Sequence, residues 1–225
     1  MKESLKRVLK WIDNFWYHHK WKTLLTVFFG GVILFCTVHA CSKPSYDAHI
    51  IYAGPVYYGE ELYKEATAKL SGYLPSDFNE DGQKLVDFVN VLYVPEELAE
   101  EYMEQGVNFD PYQNEQSLSL FRTEIMNGQC LICLMDPEVY DKMSELNVFR
   151  PLAEIFDEVP ENAADDYAFL AEDLPAFRRM GESVFPEDTV VCLRVKNSAY
   201  GAVNSEWDRV YAFHEELFRK LVSGK

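Results

Sequence analysis

The chain has 225 residues, 48% of them apolar and 15% aromatic, with a formal net charge of −16. That much apolar surface supplies a real core and excludes a disordered chain, and the length has room for one sizeable domain plus an appendage. Six of the 21 basic residues (Lys2, Lys6, Arg7, Lys10, Lys20, Lys22) and two of the 37 acidic ones (Glu3, Asp13) lie in the first 22 positions. The part after Cys41 therefore carries a net charge of −20, which argues against nucleic acid as a partner because it repels phosphate backbones.

Residues 23–40, "TLLTVFFGGVILFCTVHA", hold no charged side chain, and the uncharged run extends to Ser42. At about 1.5 Å per helical residue this run crosses a hydrocarbon core of about 30 Å. Six basic residues precede it and Lys43 follows it, an asymmetry that places the amino terminus in the cytoplasm and residues 43–225 outside as the expectation. Trp16, Tyr17 and Trp21 sit where amphipathic rings favour the membrane interface. Three segments follow: a basic cytoplasmic or interfacial segment (1–22), a transmembrane or lipoprotein signal helix (23–42), and an extracytoplasmic domain (43–225). Val38 and Ala40 before Cys41 resemble a lipoprotein cleavage box, which makes Cys41 a lipidation candidate. His39 is atypical there and 22 residues is long for the region before a cleaved signal. An uncleaved single-pass anchor, a lipid anchor and free secretion all place the folded domain outside the cytoplasm.

Beyond the linker 41–47, "AHIIYAG" reads as a first strand from its β-branched and aromatic residues. "GEELYKEATAKLSGYL" reads as a helix with Leu62, Ala66 and Leu70 on one face and Gly72 as its stop. Residues 84–94 are predicted as a second strand, and "PEELAEEYMEQG" as a short exposed helix. "NEQSLSLFRTEIMNG" follows as a helix with Leu118, Phe121 and Ile125 buried. "QCLICLM" is an apolar run of strand length, leading into a helix start at "DPEVYDKM". Residues 157–187, acidic and proline-bearing, read as irregular. A strand at 188–195 and a last helix with Trp207, Val210, Tyr211, His214, Leu217 and Leu221 inward complete the chain. Alternation of strands and helices predicts an α/β domain with a largely parallel open sheet and flanking helices.

Cys130 and Cys133 form a C-x-x-C pair, a spacing that suits disulfide exchange or half of a zinc site. Both lie inside the apolar run, and along a strand positions three apart face opposite sides. Core packing is the expectation. "DFNEDG" places Asp77, Asn79 and Asp81 at positions 1, 3 and 5 of a calcium-loop pattern with Gly82 at 6. Position 12, where the closing acid belongs, is Phe88, and Asp, Asn and Gly also make ordinary turns. Calcium is the one cofactor this pattern raises. His214 is read as a satisfied, semi-buried histidine. No G-x-S-x-G, G-x-x-x-x-G-K or G-x-G-x-x-G occurs, so no enzyme is expected.

The stretch "FRTEIMNGQCLICLMDPEVYDKMSELNVFRPLAEIF" resembles a segment of the extracellular solute-binding proteins of ABC importers, through Gly128, the strand at 130–135, Asp136, Tyr140 and Pro151-Leu152. "IIYAGPVYYGEELYKEATAKL" is similar to that family's first strand, loop and helix. The anchor and linker also resemble a group of bacterial membrane-anchored proteins sharing a D-x-N-x-D-G turn. The resemblance implies one lobe of a type II periplasmic-binding-protein fold, with ligand held at the carboxyl ends of strands. It places Tyr57, Tyr58, Asp136 and Tyr140 at such a crevice, facing a sugar or an amine. The exported part, about 180 residues, holds one lobe and part of another rather than two lobes and a hinge.

The function expected is a membrane-anchored, extracytoplasmic binding domain that captures a small solute or protein ligand without catalysis. The alternative is a structural or protein-interaction module of the bacterial cell envelope with no small ligand. The first expects a concave pocket with convergent aromatics, the second an exposed apolar patch.

Overall fold

The computed structural model describes residues 2–41, 44–107, 109–196 and 199–225. The chain divides into two compact units, Met1–Pro44 and Ser45–Lys225. The first is a single helix, α1 (Lys2–Cys41). Its segment Asn14–His39 is long and apolar enough to cross a membrane by length and composition. Trp16, Tyr17 and Trp21 are exposed on it. The expected span ended at Ser42, which lies outside the described residues.

The second unit is built on five strands: β1 (Ala48–Gly54), β2 (Val86–Leu92), β3 (Ile132–Met135), β4 (Ala168–Leu170) and β5 (Val190–Leu193), in the order β2-β1-β3-β5-β4. β1 pairs in parallel with β2 and with β3. β5 lies between β3 and β4 and runs antiparallel to both. The sheet is therefore mixed, not largely parallel: four strands share a direction and the fifth opposes them from inside. An apolar run such as "VVCL" satisfies either direction equally well, so pattern alone could not have settled it.

The helices are α2 (Glu60–Ser71), α3 (Glu96–Glu104), α4 (Pro111–Asn127), α5 (Pro137–Ser144), α6 (Pro175–Met180), α7 (Ala199–Val203) and α8 (Trp207–Ser223). Side chains alternate across the sheet. Ile50, Tyr52, Phe88, Leu134, Leu193 and Phe169 face one side, where α2, α6 and α8 bury Leu70, Phe177 and Leu217. Ile51, Ala53, Cys133, Met135 and Cys192 face the other, under Phe121 and Ile125 of α4 and Val139 and Met143 of α5. The segment expected to be irregular contains β4, a three-residue strand pairing with β5 alone among the named strands, and α6, which starts at Pro175 and stops at Gly181 with φ 91°. A strand that short carries too little alternation to stand out among acidic neighbours.

Arg194, just past the end of β5, is wholly buried. Its Nη1 donates to the carbonyls of Glu124 (2.9 Å) and Ile125 (2.8 Å), and its Nη2 to that of Gly128 (2.8 Å). These lie at the end of α4, where carbonyls lack helical partners and the helix dipole is negative. Its backbone N–H donates to Leu131 O, and its carbonyl accepts from the Tyr211 hydroxyl. One residue thus joins α4, the approach to β3, and α8. Replacing it as Arg194→Met takes a donor from each of the three carbonyls, of which Glu124 O keeps Gly128 N, and is expected to cost about 3 kcal/mol, read as a lower urea midpoint by near-UV circular dichroism. Arg194→Lys, whose single nitrogen cannot fork to three acceptors, should recover only part of that loss.

Candidate functional site

From β1 the chain runs through α2 to β2 on one side, then through α3 and α4 to β3 on the other side of β1. Right-handed crossovers in opposite directions require α2 and α4 on opposite faces, as they are. Connections that depart to opposite faces leave a crevice at the carboxyl ends of β1 and β3, the usual ligand position in open α/β sheets. A cleft of about 470 Å³ lies there, lined by Pro55 after β1, Pro95 and Leu98 at the start of α3, Asp136 after β3, and Glu138 and Asp188. Asp188 arrives because β5 is antiparallel, so the amino end of β5 meets the carboxyl end of β3 at the Met135–Val190 pair.

The cleft is acidic. Glu97 and Glu101 of α3 also line it. Glu138 is already engaged: it holds Lys142 at 2.5 Å and accepts from the Tyr93 hydroxyl (2.7 Å) and Glu96 N (2.6 Å). Those bonds hold its carboxyl below the usual range against the opposing effect of burial. Asp136 caps α5 by accepting from Glu138 N at 2.9 Å. Burial raises its pKa, and the charges of Asp188 and Glu138 push the same way. A carboxyl so placed is relieved by a bound cation, which compensates both dehydration and like-charge repulsion.

The four residues expected at one crevice are not gathered there. Asp136 lines it. Tyr57 is 75% exposed on the β1–α2 connection and does not line the cleft. Tyr58 is turned into the core, 7% exposed, its hydroxyl donating to Val184 O at 2.5 Å and its ring against Phe88 and Phe185. The adjacent tyrosines point apart because the connection turns at this point to start α2. Tyr140, one turn after Asp136 on α5, lines a different hollow. Glu97, Glu101 and Asp188 went unseen: acids are abundant in this chain, and the expected parallel direction of β5 would have put Asp188 at the far end of the sheet. Tyr58→Phe is expected to lower stability by about 1–2 kcal/mol, by leaving Val184 O unpaired, without altering ligand binding; chemical unfolding and titration together check it.

Asp77, Asn79 and Asp81 do fall in one turn. Their side chains serve the backbone: Asp77 Oδ2 accepts from Gly82 N (2.7 Å), Asn79 Oδ1 from Asp81 N (2.9 Å) and Asp81 Oδ1 from Gln83 N (2.9 Å). The buried Asp47 carboxylate braces the turn by accepting from Phe78 N, Asn79 N and Leu85 N. Phe88 at the twelfth position belongs to β2 and is buried, and Asp87 at the eleventh holds His49 at 3.0 Å, so neither closes a calcium loop. Among the described residues no group of three or more His, Cys, Asp or Glu converges as a metal site.

Cys130 and Cys133 are buried with free thiols. They belong to the same core cluster rather than to opposite faces, because Cys130 precedes β3 and is outside its alternation. Burial raises both thiol pKa values, that of Cys133 to about 12. Such thiols are poor nucleophiles.

His214 is completely buried on α8, its Nε2 accepting from His49 N (3.0 Å) and its Nδ1 donating to Val210 O (2.8 Å). Both nitrogens are used by a neutral ring, and burial lowers its pKa from 6.5 to about 4. A depressed folded-state pKa means that the unfolded chain binds the extra proton first. The stabilisation is present above about pH 6.5 and is lost as pH falls through 4, on the order of 3 kcal/mol in all. Unfolding curves between pH 7 and 4 should show this loss, and His214→Gln should flatten it.

Comparison with family models, with curated proteins and with solved structures finds no match to this chain.

Proposed function

We propose that the chain is a membrane-anchored binding protein whose unit Ser45–Lys225 lies outside the cytoplasm and captures a small cationic solute, without catalysis. The observation that carries this reading is the acidic cleft of about 470 Å³ at the carboxyl ends of β1 and β3. Its position follows the rule for open α/β sheets, and its volume suits a small molecule. Asp136 and Asp188 would face the charge of an amine, with Pro55, Pro95 and Leu98 against its carbon chain. The apolar helix Asn14–His39, following the basic segment, supports anchoring with the amino terminus inside. The resemblance to extracellular solute-binding proteins agrees with capture at strand ends, on one sheet where those proteins use two lobes.

The test is thermal melting of the full chain in dodecyl maltoside with spermidine, single amino acids, neutral sugars and calcium, each against an EDTA control. Ligand that binds only the native state raises the melting temperature by mass action, about 5–10 °C at a hundredfold excess over Kd. The expected outcome is a shift with the amines that Asp188→Asn reduces. A shift with calcium alone would move attention to Asp77, Asn79 and Asp81. No shift from any organic solute would sink solute capture and leave the envelope-interaction module as the reading.

A further inference from the structure

A second hollow, of about 270 Å³, lies away from the acidic cleft and shares no lining residue with it. Its walls are mainly aromatic and aliphatic, from Tyr140 of α5, Phe149, Tyr167, Pro151 and Val195, with Ser144 and Asn147 as the polar part of the lining. The Tyr140 and Phe149 rings lie 5.5 Å apart at 31° and form one wall. Tyr167 is half-exposed. Asp165 links the two tyrosines, its Oδ2 accepting from the Tyr140 hydroxyl at 2.5 Å and its Oδ1 from Tyr167 N at 2.7 Å. No basic side chain among the described residues forms an ion pair with Asp165. The nearest basic residue along the chain before this segment, Arg150, is neutralised by Glu215 at 2.5 Å and Glu154 at 3.5 Å.

We propose that this hollow is a binding site for a small organic cation with a quaternary ammonium head, held between the rings of Tyr140, Phe149 and Tyr167 with Asp165 as its counter-charge. The chemistry is specific in three ways. Aromatic faces attract a cation through their quadrupole, and most strongly one as weakly hydrated as a quaternary ammonium. The methyl groups of such a head also bury well against Pro151 and Val195, where an anion would lose hydration and meet the charge of Asp165. Both acceptor oxygens of Asp165 already hold a donor, so the carboxylate is fixed in position and its charge acts without reorganisation. The net charge of −20 beyond Cys41 adds long-range attraction for any cation. This site is independent of the reading of the acidic cleft, since neither uses the other's residues.

The experiment is isothermal titration of the full chain in dodecyl maltoside, a detergent without a choline head. The probes are choline and its neutral carbon isostere 3,3-dimethylbutan-1-ol, both taken to about 10 mM, a range that registers even millimolar affinities. Choline is expected to bind at least about tenfold more tightly than the isostere, a difference that reports charge rather than shape. Tyr167→Ala and Asp165→Asn, both at exposed positions, should each weaken choline about tenfold while leaving the melting temperature of the free protein unchanged. Asp188→Asn should leave choline affinity as it was. Equal binding of the isostere, undiminished affinity in both variants, or no heat from choline at all would overturn the proposal. Loss of choline binding in Asp188→Asn alone would also overturn it, by assigning the cation to the other cleft.

Discussion

Arg194 is wholly buried, and its hydrogen-bond partners are backbone carbonyls at the end of α4 rather than a carboxylate. Dehydrating a guanidinium costs several kcal/mol, which is recovered only where enough acceptors meet its fork. Here the negative end of a helix supplies acceptors to both terminal nitrogens, and the carbonyls of Ile125 and Gly128 gain a donor past the last turn. The arrangement requires the carboxyl end of β5 to lie beside the end of α4. Since α4 leads into the amino end of β3, β5 must run against β3. The antiparallel strand inside an otherwise co-directional sheet and the buried arginine are therefore one constraint seen from two sides.

That constraint reaches the other end of the sheet. With β5 reversed, Asp188, two residues before its start, stands at the carboxyl end of β3 and lines the same cleft as Asp136. The acidic cleft is thus assembled from segments more than fifty positions apart, and its charge is the sum of groups that no local window contains. Glu138 is held by Lys142 and Tyr93, which leaves Asp136, Asp188 and the exposed glutamates of α3 to face the opening. Asp136 is both cap and cleft residue, so the backbone geometry of α5 and the polarity of the cleft are tied to one side chain.

Local chemistry made most elements legible. "AHIIYAG" coincides with β1 because Ile50, Ile51 and Tyr52 are β-branched and aromatic types that favour a strand. Leu118, Phe121 and Ile125 are the buried stripe of α4, as their spacing requires. β4 was not legible, since three residues cannot display a period and its pairing with β5 and with Ala163 defines it. Of the four residues taken from the resemblance, Asp136 alone lines the cleft, and the helix start it caps was legible in "DPEVYDKM". Tyr58 and Tyr57 are adjacent in sequence and opposite in environment; only the direction in which the chain leaves β1 separates core from surface. The C-x-x-C pair was correctly read as an apolar segment, but the face of Cys130 depended on where β3 begins.

What this sequence determined by itself is local and compositional: an apolar helix after a basic segment, an acidic remainder, the sites of most strands and helices, and the turn at Asp77–Gly82. These follow from transfer energy, side-chain periodicity and backbone preference, each of which acts within a few residues. Tertiary structure alone decided the direction of β5, the burial of Arg194, the separation of Tyr140 from Asp136, and the arrival of Asp188 at the cleft. Each depends on which surfaces meet, and the energy that decides it is shared between elements distant in the chain. A buried charge finds its acceptors only after packing has placed them.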